Sequence, residues 1–482
     1  MTDADVDRSI YASPFVTRWA GREMLENWSD LKKYRTWRRL WIALAEAQQE
    51  LGLDITDEQI QEMKAHCDEV DFETVARIEH ETRHEVTAHI RAYGEQCPTA
   101  RPIIHLGATS AFVGDNTYLV QIRDGLRLLV GPMGRACRNL VEFARRHRAL
   151  PCLAYTHLQP AQLTTLGKRA CLWLQDLLAA LQHTAALSGE IPFRGAKGTT
   201  GTQASYLALF GGDEEKVKKL DHFVAERMGF ETVWPVTGQT YPRLLDYRVL
   251  SALGEWAIAC SKMATDVRLL AGLKEVEEPF DEKQVGSSAM AYKRNPIRTE
   301  RIAALSRFLL NNVQHAAFTG ADQWLERSLD DSAIRRLSLA ESFLAADSVG
   351  RLAANVTAGL VVNEQVIARR IRAELPFMAT ETILMAAVQH GGDRQDLHER
   401  IRQHAMAAAE RMKDGDGQND LIQRIRQDAE FAAVHDRLDD LLDPHSFVGR
   451  APQQVDEFLA EVAEPALQEL PETADEVEDL RV

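Results

Sequence analysis

The sequence predicts an all-α protein: three helical domains built around a central long-helix bundle. Three observations carry that expectation. Ala, Leu, Arg, Glu and Gln dominate while aromatic residues make up only 7%, a balance that favours helix over strand. No proline occurs from 297 to 375, so nothing in that span forces a helix to break. Finally, Val249, Leu253, Trp256, Cys260, Met263, Val267 and Leu270 recur in alternating steps of four and three. That spacing is the seam of a helix packed lengthwise on its neighbours.

At 482 residues the chain is long enough for about three units. Residues 1–111 read as an N-terminal helical domain that closes with the loop CPTARPIIHLGATS. Residues 112–364 read as the bundle, with long helices expected at roughly 115–148, 161–190, around the 249–270 seam, at 297–319 and at 333–362. Residues 365–482 read as a C-terminal domain of shorter helices, punctuated by Gly391–Gly392, the DGDG run at 414–417 and Pro444, Pro452, Pro465 and Pro471.

Bulk properties exclude several function classes. Hydrophobic residues at 45% and charged residues at 27% are ordinary for a globular protein. No run of 18 apolar residues appears, so no membrane span is expected. The opening MTDADVDRSIYASPF lacks the basic-then-apolar order of a secretory signal. Six scattered cysteines without a C-x-x-C pair read as reduced thiols of a cytoplasmic protein. A net charge of −16 argues against nucleic acid as a partner, since phosphate binding needs basic surface. Part of that charge sits in the run Glu469–Asp479, which reads as a solvated tail.

Against this background four segments combine reactive side chains with turn residues. They are RHE at 83–85, HLGATS at 105–110, THLQPAQ at 156–162 and GSSAMAYKRNP at 286–296. Taken singly, Ser and Thr before helices are ordinary N-caps, a lone His is usually a hydrogen-bonded structural residue, and Pro296 suits the first position of a helix. Taken together they offer acid–base chemistry. Ser287 lies six residues before Lys293, in a loop whose N–H groups can hold an oxyanion. His157 can give or take a proton near neutral pH. Arg294, Arg298, Arg301, Arg327, Arg335 and Arg336 suggest a basic pocket for carboxylates and phosphate.

Two tempting motifs carry less. His80-Glu81-Thr82-Arg83-His84 fits H-E-x-x-H, but position 90 is Ile, so the longer zinc signature is missing and no metal is expected. GAKGTTGTQAS at 195–205 lacks the order of a phosphate-binding P-loop. It reads as a structured loop near the site.

The run GSSAMAYKRNP resembles the signature loop of the fumarase/aspartase superfamily, which spans 284–296 here. RHE, HLGATS, THLQPAQLTTLGKR, KGTTGTQAS, TGQTY, LDDSAIRR and ELPFMATE resemble the adenylosuccinate lyase family, in its animal type, over nearly the whole chain. The resemblance implies a cofactor-free β-elimination of fumarate from succinylated purine nucleotides. It also implies a homotetramer whose central helices pack together and whose active sites each draw loops from three subunits. By this analogy Ser287 is the base, His157 the acid, and Lys293 and Asn295 steady an oxyanion or a succinyl carboxylate; His84 lies near the reacting centre. Arg18 and Trp19 match an Arg-Tyr pair, and Arg83, His84 and Glu85 match an Arg-His-Asp triplet. Thr109 and Ser110 match donors to the succinyl carboxylate, and Gln239 and Arg301 match substrate contacts. Arg327, Ser332 and Arg336 match a phosphate and nucleotide clamp, with His105 an additional partner. The chain departs from the pattern at Trp19, Glu85 and Ala291. Argininosuccinate lyase, another fumarate-releasing lyase, and a non-catalytic helical scaffold are the alternatives that a fumarate assay separates.

Overall fold

The computed structural model describes residues 9–281, 283–414 and 417–470; the acidic tail from 471 onward lies outside them. The N-terminal part holds α1 (Asp30–Glu50), α2 (Phe72–Thr82) and α3 (Glu85–Gln96). Five long helices follow and pack on one another: α4 (Ser110–Arg146), α5 (Leu166–Glu190), α6 (Leu244–Gly272), α7 (Ile297–Ala321) and α8 (Asp331–Ala358). All seven seam residues of α6 are buried, as the four–three spacing requires. Shorter helices follow, beginning with α9 (Glu364–Met378). Ile383, Leu397, Ile401, Ile425 and Phe431 belong to a second apolar core, whereas Val455, Leu459 and Leu467 return to the main one.

One helix boundary differs from expectation. The stretch read as the start of a helix at 161 is instead the second strand of a hairpin, β1 (Pro151–Thr156) with β2 (Gln159–Thr165). Pro160 cannot serve a helix interior, and the effective N-cap is Thr165, whose side chain accepts from Lys168 N–H at 3.2 Å. A second, minimal pair joins β3 (Val276–Glu277) to β4 (Val361–Val362).

Bundle direction decides what lies near what. α4 begins at an upper end, where Tyr241 N–H and Arg243 both bond Asp115, and where Arg243 also reaches Asp331 at the start of α8. Its other end, the lower one, carries the hairpin between α4 and α5 and the α6–α7 connection that holds residues 284–296. The 25 residues of α7 separate the two ends by roughly 37 Å at 1.5 Å per residue.

Candidate active site

The 284–296 loop closes on itself at the lower end. Asn295 Nδ2 donates to the Gly286 carbonyl at 2.8 Å. A Cβ on Gly286 would collide with the carbonyl oxygen of Lys293, so only glycine permits this closure. Half-buried Ser287 bonds within its own loop, its Oγ accepting from the N–H groups of Ala289 at 3.3 Å and Met290 at 3.2 Å. Two donors on a hydroxyl oxygen favour its deprotonated form, because they stabilise the charge that appears there. Lys293 is exposed, and among the described residues it forms no ion pair. The loop's root is anchored by hydrogen bonds. The buried Glu278 carboxylate accepts from Arg298 N–H at 2.9 Å and Thr299 N–H at 2.8 Å, satisfying the first turn of α7.

His157 sits at the tip of the neighbouring hairpin. Thr156 pairs with Gln159, so the turn contains only His157 and Leu158, and both have left-handed backbone, φ 55° and 59°. Two-residue turns of this kind normally take Asn-Gly. Each non-glycine residue there costs about 1–2 kcal/mol, and such strain collects at functional positions. The turn is exposed, so the imidazole faces outward from the bundle end.

Near the same end, Arg301 lies one turn into α7 with its guanidinium 5.6 Å from the Trp19 ring. Burial first, and then repulsion from Arg18, lowers the Arg301 pKa. One cation over an aromatic face with a second close enough to repel it suits an anion attached to a ring.

The remaining candidates gather at the upper end. Glu85 Oε1 accepts from Lys33 at 2.6 Å and from the Tyr34 hydroxyl at 2.9 Å, while Oε2 accepts from Arg336 at 2.7 Å. Burial would raise this carboxyl; Lys33, then Arg336 and Tyr34, outweigh it and hold the pKa at about 2. His84 caps α3, its Nδ1 accepting from Thr87 N–H at 3.2 Å, beside Arg83 in left-handed backbone. Thr109 precedes α4 with a buried hydroxyl that has no partner among the described residues, next to exposed Ser110. Gln239 is tied to the glycine-rich loop, its side chain donating to the Thr199 carbonyl at 3.0 Å and its N–H to the Glu326 carbonyl at 2.9 Å. Arg327 follows directly and donates to both oxygens of Asp331 at 3.0 and 3.1 Å. Half-buried Ser332 opens the first turn of α8.

Beneath Arg327 lies a buried ion network. Asp331 also binds Arg243 at 2.6 Å, Arg243 binds Asp115, and Arg335 binds Asp246 at 2.7 Å. Arg194 lies close enough to Asp115 to help lower that carboxyl's pKa, after Arg243 and Arg335. Three aspartates thus face three buried arginines, and Arg327 adds a fourth positive charge at the surface. That surplus is available to an anion.

This corrects the expectation of one basic pocket. Arg298 is buried against Asp281 at 2.5 Å, Arg335 is sunk in the network, and Arg294 covers the Phe280 ring. A buried guanidinium needs a carboxylate of its own, so Arg298 and Arg335 serve the fold, while Arg294 stays exposed 3.7 Å from Glu277. His105 is also better described as structural: its Nδ1 accepts from the Trp41 indole at 2.8 Å, and burial, with His84 nearby, lowers its pKa to about 4. The H-E-x-x-H pattern straddles a break, because α2 ends at Thr82 and His84 caps the next helix. Among the described residues no group of three His, Cys, Asp or Glu side chains could hold a metal ion. Lys197 of the glycine-rich run is buried on Asp221 at 2.5 Å. The partners that the sequence reading missed are Lys33, Tyr34, Asp331, Arg243 and Glu278. Only Asp331, inside LDDSAIRR, carried a signal.

Within one chain, then, Ser287, Lys293, Asn295 and His157 stand at one end of the bundle and Thr109, Gln239, Arg327 and Arg336 at the other. No hydrogen bond or ion pair among the described residues joins His157 to Ser287.

Comparison with known proteins gives the family. Residues 13–308 match the family described as "Lyase", and residues 376–458 match "Adenylosuccinate lyase C-terminus". The chain is 50% identical to adenylosuccinate lyase of Saccharomyces cerevisiae over 465 residues, 96% of each chain. It is 49% identical to that of Schistosoma mansoni over 459 residues, 95% of this chain and 96% of the relative. Half-identical relatives therefore include a fungus as well as an animal. Among solved structures, the 3-carboxy-cis,cis-muconate lactonizing enzyme of Pseudomonas putida superposes with a TM-score of 0.82 at 22% identity, covering 94% of this chain and 99% of the other. Fumarate lyase from Mesorhizobium sp. BNC1 gives 0.78 at 23%, covering 94% and 100%. These two show the shared fold.

Proposed function

The chain belongs to the adenylosuccinate lyase family, and from that premise we propose that it releases fumarate from adenylosuccinate, giving AMP. By the same chemistry it cleaves the succinylated imidazole-carboxamide ribotide of purine synthesis, giving the carboxamide. The observation that carries this reading is Ser287, its Oγ held by two backbone N–H groups in a loop shut by Asn295 and Gly286.

The hard step is removing hydrogen from the carbon next to a carboxylate, which places a second negative charge on that carboxyl group. Ser287 takes the proton, its alkoxide steadied beforehand by the Ala289 and Met290 N–H groups. The charge that develops on the succinyl carboxylate calls for fixed donors, a role we give to Lys293, Asn295, Thr109 and Ser110. Collapse of the carbanion breaks the C–N bond, and His157 protonates the departing nitrogen, a contribution of about 10²–10⁴ in rate. His84, beside Arg83 and Glu85, stands near the reacting centre. Arg18 and Trp19 with Arg301 hold one part of the nucleotide. Gln239, Arg327, Ser332 and Arg336 hold the phosphate end, where the buried network leaves one positive charge in surplus.

A substrate of nucleotide size does not reach across roughly 37 Å of bundle, so the reading requires chains to share sites. A homotetramer supplies this. Exposed Leu244, Ile258 and Leu269 on α6 support it, because each is half to two-thirds exposed and leaves about 1–2 kcal/mol of burial unrealised. The reading further treats residues 1–111, 112–364 and 365–482 as separate helical units. It assigns a cytoplasmic location, consistent with six unpaired cysteines, and no metal, nucleic acid or membrane partner. Among the described residues no helix is long and apolar enough to cross a membrane.

Fumarate absorbance tests the proposal directly. Adenylosuccinate, and not argininosuccinate, should yield fumarate, and dialysis against a chelator should leave the rate unchanged. Ser287→Ala and His157→Gln should each abolish turnover in a folded protein, and mixing the two should restore part of it. Full activity in either variant removes that residue from its role.

A further inference from the structure

The strained His157 turn needs something to hold it. Its two residues are exposed, and the strand leading to it is irregular: the register shifts between Ala154 and Tyr155, so Tyr155 faces Pro160 across a bulge. Bulges bend a strand and re-aim its side chains. Here the irregularity falls two residues before the imidazole, where the ladder is least able to fix it.

A side-chain contact enters at that point. Arg370 on α9 donates from Nη2 to the Tyr155 hydroxyl at 3.1 Å, and its Nε lies 2.8 Å from Oε1 of Glu275. Glu275 is 1% exposed, and a carboxylate is seldom buried so deep unless a cation is paired with it. Its backbone is also specially arranged. Lys274, just before it, has left-handed backbone at φ 60°. Asn363 stabilises this turn from both sides, its Nδ2 donating to the Lys274 carbonyl at 3.0 Å and its N–H to the Glu275 carbonyl at 2.9 Å. Lower on the strand, Arg169 donates to the Leu153 carbonyl at 2.5 Å. Burial pushes the Glu275 carboxyl upward, and Arg370 and Arg169 oppose that shift.

We propose that Glu275, Arg370 and Tyr155 form a strut that holds the His157 turn in its strained conformation, making all three positioning residues for proton delivery. Glu275 holds the Arg370 guanidinium by charge, an ion pair at 2.8 Å without hydrogen-bond alignment, and Nη2 of that guanidinium fixes the Tyr155 hydroxyl at the bulge. The segment bearing Glu275 continues into Glu277, 3.7 Å from Arg294, and into Glu278, which caps α7. The strut therefore stands on the same short stretch that anchors both ends of the Ser287 loop. None of the three residues needs to touch substrate.

The inference rests on the reading of His157 as the acid, and the test separates the two. Fumarate release is measured across pH for the full-length enzyme and for Tyr155→Phe, Arg370→Met, Arg370→Lys, Glu275→Gln and His157→Gln. A misplacement near 1 Å costs up to about 100-fold. Tyr155→Phe and Arg370→Met should accordingly lose roughly 10- to 100-fold in kcat, with KM within about twofold, and the limb of the pH–kcat profile that reports the acid should move. Arg370→Lys, which keeps the charge without the fork, should recover part of the loss. Tyr155→Phe removes one oxygen from a half-buried side chain, so it keeps the test decisive even if Arg370→Met fails to fold. Wild-type kcat in Tyr155→Phe beside an inactive His157→Gln overturns the strut alone. A loss confined to KM, or matched by a fall in melting temperature, overturns it as well. An active His157→Gln overturns the reading of the acid, and the strut with it.

Discussion

Gly286→Ala isolates the contribution of loop closure. The added methyl would fall inside the 3.0 Å limit of real Cβ contacts against the Lys293 carbonyl oxygen, and close to the Phe280 ring and the Arg294 Cα as well. Relief requires the 293–294 strand of the loop to move away from Ser287 by on the order of 1 Å, a displacement worth about 100-fold in rate when it separates catalytic groups. The Asn295 bond to the Gly286 carbonyl is strained by the same movement. Little stability is at stake, because the loop is largely exposed and contributes no side chain to the main core. Stopped-flow or steady-state fumarate release should give kcat down about two orders of magnitude, with the melting temperature nearly unchanged. Gly272→Ala is the control: its Cβ would meet nothing within 4 Å, and the rate should stay at the wild-type value. A Gly286→Ala enzyme with full kcat would refute the claim that this contact shapes the base.

Other outcomes follow from the buried groups. Asp331→Asn leaves Arg243 and Arg327 sharing a neutral partner in a fully buried position. About 3 kcal/mol of stability should be lost, read as a lowered denaturation midpoint, and KM should rise. His89 and His105 are both held near pKa 4, mainly by burial. Since the unfolded side chains titrate near 6.5, the neutral folded forms stabilise above that pH, and this contribution is lost as pH falls from about 6.5 to 4. His105→Asn should flatten the stability–pH slope in that window by about one proton, roughly 1.4 kcal/mol per pH unit. Leu158→Gly removes one left-handed side chain that costs about 1–2 kcal/mol while adding unfolded-state entropy of about 0.5–1 kcal/mol. Chemical denaturation should show a gain between about 0 and 1.5 kcal/mol; a clear loss would mean that the Leu158 side chain is itself holding the turn.

Much of the site is legible in the amino-acid order. Four of the seven non-glycine residues with left-handed backbone among the described residues, Arg83, His105, His157 and Leu158, fall in segments that the sequence marks by combining turn residues with reactive groups. That combination is local, so it survives in the one-dimensional record. The arginines do not sort the same way. Arg327 and Arg335 sit eight residues apart with the same charge, yet one reaches the surface and the other lies in the interior with Asp246 and Tyr241. Nothing local separates them, because burial depends on which carboxylates other helices bring. The hairpin at 151–165 escapes a sequence reading for a related reason: Gln162–Thr165 is compatible with the helix that follows, and only pairing with Pro151–Ala154 decides for strand.

The sequence by itself determined the helical class, the lengthwise seam of α6, and the segments that hold Ser287 and His157 as proton-transfer candidates. These depend on propensity, period and chemistry within a few residues. Tertiary structure alone decided that the candidates divide between opposite ends of a bundle, that three aspartates neutralise three arginines beneath Arg327, and that Glu275 reaches Arg370 and Tyr155. The contacts behind these facts join residues 79 to 215 positions apart, fixed only when helices choose their neighbours.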